Sequence, residues 1–413
     1  MRELLARRLP ATRHRDFRAL WGGTTCSSIS LWTLLLGNAW IVFRLSDSSF
    51  WVGVATFASM SPFLLAPFGG VIADRFERRL LVRFTRVGAL STTLCLLALA
   101  SFDVLTVWMV VGVALVQGIV RAIEIPADQA LLANVVPPED IANAVSLSTM
   151  TQQGSRAAGP LLSGPLLATI GVEGAYAVAA LFALLAFTSM SRVRTSSRGG
   201  VIEVGQVVRN LAQGLSYIRG SRPVLLIFLL VTAHCALTMS FDAMLPGFAE
   251  TELHRPSGGF TMMTFGVGMG ALVGTFALAF FPGGQRGNLL LWMGLASGIS
   301  PMLMAVSMSM APAVFSSVLM GSSQAMFMAL TAVLLQAVVP DELRGRVMSL
   351  YLMAAGGVMA FANLAFGSLA DALGAPVLFL VPGAIFALIV LLTRVSGTNL
   401  RAVYRTGVVP VTP

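Results

Sequence analysis

Lysine is missing from this chain of 413 residues, and all 27 basic side chains are arginine. With no lysine there is no G-x-x-x-x-G-K-[ST] phosphate loop, so nucleotide hydrolysis is not the energy source. Histidine and cysteine number three each. His14, His234 and His254 stand far apart, and no H-E-x-x-H or G-x-S-x-G run occurs, so neither a metal site, a cofactor nor an enzyme is called for. Cys26, Cys95 and Cys235 each stand alone in a different apolar run and read as small hydrophobes, not disulfide partners. Charge is scarce as well, at 11% of residues against 56% hydrophobic, with a mean hydropathy of +0.83. A chain of this length has no core large enough to hide that much apolar surface from water; lipid is its solvent.

What is present is a succession of apolar runs, each long enough to cross ~30 Å of hydrocarbon at about 1.5 Å per residue. Twelve are expected, near 19–43, 51–73, 80–102, 104–126, 141–170, 174–191, 223–249, 259–281, 288–309, 311–337, 346–372 and 375–394. They predict an all-α integral membrane protein: a six-helix half over 1–191, a linker over 192–222, a second half over 223–395 and a tail over 396–413. In the linker, Val204, Val207, Val208, Leu211, Leu215 and Ile218 recur at helical spacing, which suits a helix on the membrane surface with its arginines toward lipid heads. The basic start MRELLARRLPATRHRDFRAL has no short apolar region before a cleavage site and reads as a retained tail. Arginines concentrate in that tail, in the even-to-odd loops and after the last span. Arg44 and Arg255 fall on the opposite side, and Arg121 and Arg156 are read as the arginines inside spans. By the positive-inside rule both termini are cytoplasmic, and the net charge of +9 reflects topology and anionic lipid, not nucleic acid.

The second half repeats the first at an offset of 203 residues, most clearly where VVPPEDIANAVSL (Val135 to Leu147) meets VVPDELRGRVMSL (Val338 to Leu350). The offset also pairs Gly118 with Gly321, Gly154 with Gly357, Gly164 with Gly367 and Gly171 with Gly374. So long a period means two similar halves facing one another.

The run GGVIADRFERR, on the turn between spans two and three, resembles the major facilitator superfamily signature G-x-x-x-D-R-x-G-R-R. Gly70, Asp74, Arg75, Arg78 and Arg79 match, and Glu77 replaces a glycine. FRALWGGTTCSSISLW, APFGGVIADRFERRLLV, RAIEIPADQALLANVVPPEDIANAVSL and QQGSRAAGPLLSGPL are similar in order to segments of the branch with enterobactin-type and macrolide-type exporters, also called drug:proton antiporter-3 or transmembrane secretion effector proteins. Leu31 and Asp128 depart from that branch, standing where many members carry an acid and an arginine. AGPLLSG (Ala158 to Gly164) partly matches the superfamily's exporter motif. The resemblance implies two halves that rock about a midplane site and a cytoplasmic gating motif. Asp128, one turn nearer the cytoplasm than Glu124, is expected to meet Arg78 or Arg79 and with Asp74 to form that motif's latch, unless Asp74 caps a neighbouring helix.

An ionised group in hydrocarbon persists only where it finds a partner or water. Counting from the turn near Pro138 puts Glu124 and Arg156 at similar depth on consecutive spans, so they are expected to pair. Arg121, one turn from Glu124, competes for it. The pair is either a static bridge that sets helix register or a switch tracking protonation. His234 and Asp242 fall on one face of span seven. Asn38, Gln117, Gln152, Gln324 and Asn363 are candidates to line a cavity or to satisfy neighbouring helices. At the repeat offset Phe327 answers Glu124 and Met359 answers Arg156. This suggests coupling charges in the first half and a Met- and Phe-rich apolar binding wall in the second.

The expected function is a monomeric secondary exporter of amphipathic small molecules, drug-like or siderophore-like, working by proton antiport in the bacterial inner membrane. A lipid or lysolipid transporter of the same fold, and a non-transporting sensor or scaffold, are the alternatives.

Overall fold

In hydrocarbon a spanning segment must satisfy its own backbone N–H and C=O groups, and a helix does this within one segment. The computed structural model describes residues 9–197, 204–281 and 286–396, which form helices and no strand. In chain order these are α1 (Arg15–Ser46), α2 (Ser49–Met60), α3 (Ala66–Arg75), α4 (Arg78–Ser101), α5 (Val107–Asn134), α6 (Ile141–Thr169), α7 (Val172–Met190), α8 (Val204–Gly220), α9 (Arg222–Leu237), α10 (Leu245–Thr251), α11 (Pro256–Ala277), α12 (Arg286–Ala305), α13 (Met310–Val338), α14 (Asp341–Leu373) and α15 (Ala375–Ser396). We call the end of the bundle where α1 starts proximal and the opposite end distal.

Ten segments among the described residues are long and apolar enough to cross a membrane, one of them Ser49–Gly69. That segment carries α2 through a 3-10 turn at Ser61–Leu65 into α3, with Pro62 in the turn. The other two expected spans are the ones that depart from a simple apolar helix. Helix α6 carries Gln152, Gln153 and Arg156 and is too polar to qualify, yet it packs against α1 and α11. The seventh span is interrupted: α9 stops at Leu237, and residues 238–244 are non-helical before Pro246 helps α10 begin.

That interruption frees backbone groups, and side chains from other helices answer them. Gln324 Nε2 donates to the Thr238 carbonyl at 2.7 Å, and Asn363 Oδ1 accepts from the Ala243 N–H at 3.3 Å. The Ser240 hydroxyl turns back to the Cys235 carbonyl at 2.8 Å. Gln324 and Asn363, both fully buried, therefore satisfy a neighbouring helix and do not line a cavity.

The repeated glycines show the internal symmetry at the level of packing. Gly118 of α5 sits against Ser59 of α2, and its counterpart Gly321 of α13 sits against Val267 of α11. Gly164 of α6 meets Thr261 of α11, and its counterpart Gly367 of α14 meets Ser49 of α2. The first couple joins helices within each half, and the second joins helices across the halves. Gly171 and Gly374, also partners in the repeat, both have positive φ, 106° and 81°, where the chain turns from one helix into the next. On α11, Gly266, Gly270 and Gly274 seat α13, and Gly268 on the other side meets the backbone of Arg156 and Ala157.

The apolar core is shared at one end and divided at the other. Toward the distal end Leu36, Trp40, Phe43 and Tyr176 of the first half pack in one cluster with Phe241, Phe248, Phe260 and Phe379 of the second. Toward the proximal end there are two separate clusters, around Phe17, Leu20, Leu131 and Met190 and around Ile227, Phe327, Leu335 and Phe386. The apolar core is thus common to both halves at the distal end and separate in each half at the proximal end.

Helix α8 lies across α9 at 106°. Ile218 is buried, Gly214 rests on Arg346 and Leu350 of α14, and α8 also touches α3 of the first half. Val208 and Leu215 remain exposed. Residues 198–203 of the linker lie outside the described residues.

Candidate functional site

Between α1, the turn after α2, and helices α4 to α7 lies a cavity of about 390 Å³. Only Gly356 and Met359 come to it from the second half. Its charged wall is built by α4 and α5. Arg121, Glu124 and Asp128 stand three and four residues apart on α5, a spacing that stacks them along one face.

Arg86 of α4 is 2% exposed and lies opposite this row. Its Nε is 3.0 Å from Glu124 Oε1, and its Nη2 is 3.5 Å from Asp128 Oδ1. Nη1 donates to the Gly23 carbonyl at 2.6 Å, and Nη2 donates to the Thr24 hydroxyl at 3.3 Å. That hydroxyl in turn donates to Asp128 Oδ2 at 2.8 Å, and the Ser27 hydroxyl donates to Glu124 Oε1 at 3.3 Å. Two carboxylates thus share one guanidinium, so the cluster carries one negative charge in excess when both are ionised. Arg121 stands over the Phe63 ring at 5.8 Å, within electrostatic reach of Glu124, and returns the wall to neutrality.

The expected Glu124–Arg156 pair is not formed. Helices α5 and α6 are consecutive but scarcely pack on each other; α6 packs instead on α1 and α11. Arg156 accordingly faces Trp32 of α1, its guanidinium carbon 5.0 Å from the ring, and interacts electrostatically with Asp242 of the other half. Asp242 does not meet His234, because the break after Leu237 separates them. His234 is fully buried; its Nδ1 lies 2.8 Å from the Thr238 hydroxyl, and its ring lies between Phe327 and Phe386 at 4.4 and 5.1 Å. This is a packing histidine.

Nor is Asp128 paired with Arg78 or Arg79 among the described residues. Arg78 Nη1 donates to Asn134 Oδ1 at 3.0 Å and to the Ser197 hydroxyl at 3.1 Å. Arg79 donates to the Arg194 carbonyl at 3.3 Å and lies 3.4 Å from Glu77. Asn134 ends α5, and Asp128, six residues earlier and about 9 Å deeper, is engaged by Arg86 and Thr24. Arg75 is exposed at the end of α3, and the side chains of residues 70–74, Gly70 and Asp74 included, lie outside the described residues.

Of the other expected cavity residues, Asn38, Gln117, Gln152 and Met359 line it, while Phe327, His234, Asp242, Gln324 and Asn363 do not. Asn38 accepts the Tyr176 hydroxyl at 2.9 Å, and Gln117 donates to the Thr92 hydroxyl at 3.3 Å. The Met-rich wall expected from the second half is also absent from the cavity. Met304 and Met320 belong to the distal core, Met326 to a proximal one, and Met308 is 91% exposed.

Sequence reading misses Arg86 and the hydroxyls of Thr24 and Ser27 that complete its cluster. Arg86 follows Arg75, Arg78, Arg79 and Arg83 and reads with them as loop charge. The available signal was its position inside the third apolar run, 80–102.

A sequence profile described as transmembrane secretion effector matches residues 8–405. The chain belongs to this family. This secretion-effector chain is 26% identical over 389 residues to macrolide efflux protein A of Streptococcus pyogenes, covering 89% of this chain and 93% of that protein. It is 25% identical over 403 residues to an uncharacterized MFS-type transporter, YfiS, of Bacillus subtilis, covering 92% and 93%. To the enterobactin exporter EntS of Citrobacter koseri it is 29% identical over 170 residues, 40% of each chain. Its fold is similar to that of a crystallised peptide transporter POT in complex with sulfate, with a TM-score of 0.77 at 11% identity over 94% of this chain and 95% of that one. The protein is a multi-pass membrane transporter of the major facilitator type.

Proposed function

We propose that this transporter exports amphipathic small molecules, drug-like or siderophore-like, from the bacterial cytoplasm in exchange for protons by alternating access. The observation that carries this reading is the cavity wall on which Glu124 and Asp128 share the single buried guanidinium of Arg86. A carboxylate that shares its guanidinium with a second one can be neutralised instead by a proton or by a cationic group of a substrate. The two then compete for one place, which is the requirement for exchange. Asn38, Gln117 and Gln152 offer polar contacts, and Trp32, Phe63, Leu31, Leu34 and Met359 offer the apolar surface an amphipath needs.

The arginine-rich proximal end faces the cytoplasm by the positive-inside rule. The separate proximal cores support reading this as an inward-facing form. Helix α8 lies in the lipid interface, its exposed Val208 and Leu215 beside Arg209 and Arg219 toward anionic heads.

The reading is tested in liposomes holding purified protein, by following substrate-dependent proton movement with a panel of macrolides and siderophores. Proton flux that depends on a substrate is the expected result. Glu124→Gln is expected to abolish proton-driven transport while the protein remains folded, and full transport by that variant removes Glu124 from coupling.

A further inference from the structure

Helix α2 starts without a cap of its own. Ser48 holds the N-cap position, but its side chain makes no cap bond to the helix. The first backbone N–H groups of α2 would be orphaned at the distal surface. They are met from the other half. Asp371, near the end of α14, accepts the Ser49 N–H on Oδ1 at 2.7 Å and the Phe50 N–H on Oδ2 at 3.2 Å, and Oδ2 also accepts the Ser48 hydroxyl.

We propose that Asp371 is the latch of the distal gate, a positioning residue that holds the two halves together at that end by capping α2 in trans. A carboxylate at a helix amino-terminus gains from the orphan donors and from the positive end of the helix dipole. The gain exists only while α14 and α2 are together, so it weights one conformation and not the other.

Three further observations support a latch. At the same crossing Gly53 lies under the Asn363 carbonyl and Gly367 against the Ser49 carbonyl, backbone on backbone. Such a seat is either occupied or left, with no room for partial slippage. The repeat offers no second latch: 203 residues before Asp371 stands Ala168, and at the equivalent crossing of α6 and α11 Gly164 simply meets Thr261. The distal ion pair between halves among the described residues, Arg44 with Glu250 at 3.9 Å, is partly exposed and contributes little.

The test uses the full chain in lipid nanodiscs, with Cys26, Cys95 and Cys235 replaced and spin labels on cysteines at Val104 and Met308. These positions are exposed in distal turns of the two halves. Pulsed electron resonance reads the distance between them. Asp371→Ala is expected to raise the ratio of the long to the short distance by roughly tenfold, the effect of losing a charged cap. Asp371→Asn, which keeps one acceptor and the same shape, gives a smaller rise. Ser48→Ala shifts the ratio in the wild-type background and has no effect in the Asp371→Ala background.

A folded, monodisperse Asp371→Ala chain with the wild-type distance distribution overturns the latch. So does a Ser48→Ala shift that persists without Asp371. The proposal rests on the alternating-access reading, but the two fail separately. Flux in liposomes judges transport, whereas these distances are read without substrate.

Discussion

Arg86 engages both carboxylates of the cavity wall, Glu124 and Asp128. Its removal leaves two carboxylates buried beside one another, and breaking a buried pair from one side costs about 3–5 kcal/mol. Arg86→Leu is therefore expected to lower the thermal unfolding midpoint in detergent by several degrees, and replacing Arg86, Glu124 and Asp128 together by apolar residues restores most of the loss. A midpoint unchanged by Arg86→Leu would show that the wall does not need its cation. Gln324 is a quieter case. Its amide occupies the Thr238 carbonyl, so Gln324→Leu strands a buried acceptor at a cost of about 1–3 kcal/mol, read in the same melt. Both residues are visible in the sequence as polar groups in apolar runs, but sequence alone does not separate a charge serving a cavity from an amide serving a broken helix.

At the scale of elements, glycine decides which helices touch closely. A methyl on Gly270 would overlap the Val318 carbonyl of α13, whereas one on Gly112 of α5 would meet nothing within 4 Å. Gly270→Ala is expected to destabilise by about 1–3 kcal/mol through overpacking. Gly112→Ala should be neutral or gain up to about 1 kcal/mol of helix propensity. Equal melting shifts for the two would refute the packing account. Gly266, Gly270 and Gly274 stand four apart in the sequence, a spacing that makes one helical face. The break in span seven was not read: Ser240, Asp242 and Pro246 are weak signals alone, and the acceptors and donors that make unwinding tolerable come from α13 and α14. Helix α8 tells a similar story. Its amphipathic pattern was plain, but the pattern does not say that its apolar side docks on α14 and reaches α3, leaving only its flank for lipid.

Over the whole molecule the duplication was kept in the scaffold and abandoned in the chemistry. Carried forward by 203 residues, Arg86, Arg121, Glu124 and Asp128 fall on Leu289, Gln324, Phe327 and Thr331. The first half holds a cavity at this place, and the second fills it with Phe327, His234 and Phe386. Transport by rocking requires the shared distal core to part. Cysteines at Arg44 and Glu250 joined by a short cleavable crosslinker should abolish substrate flux in liposomes, leave binding from the proximal side intact, and restore flux on cleavage. Flux that continues at full rate through the crosslink would exclude distal opening as part of the cycle.

The sequence by itself determined that this chain is a bundle of membrane helices in two related halves, because long apolar runs can satisfy their backbones in lipid only as helices and a repeat of this length copies a whole bundle. It also determined the depth of each polar group, since depth is a residue count times a fixed rise. Only the tertiary structure decided which way each helix faces. Residue counting puts Glu124 and Arg156 at similar depth but not in one direction: α5 turns its charges to α4, and α6 turns its arginine to Trp32 of α1 and Asp242 of the broken span. That rotation is set by packing between segments far apart in the chain, and no local pattern of residues encodes it.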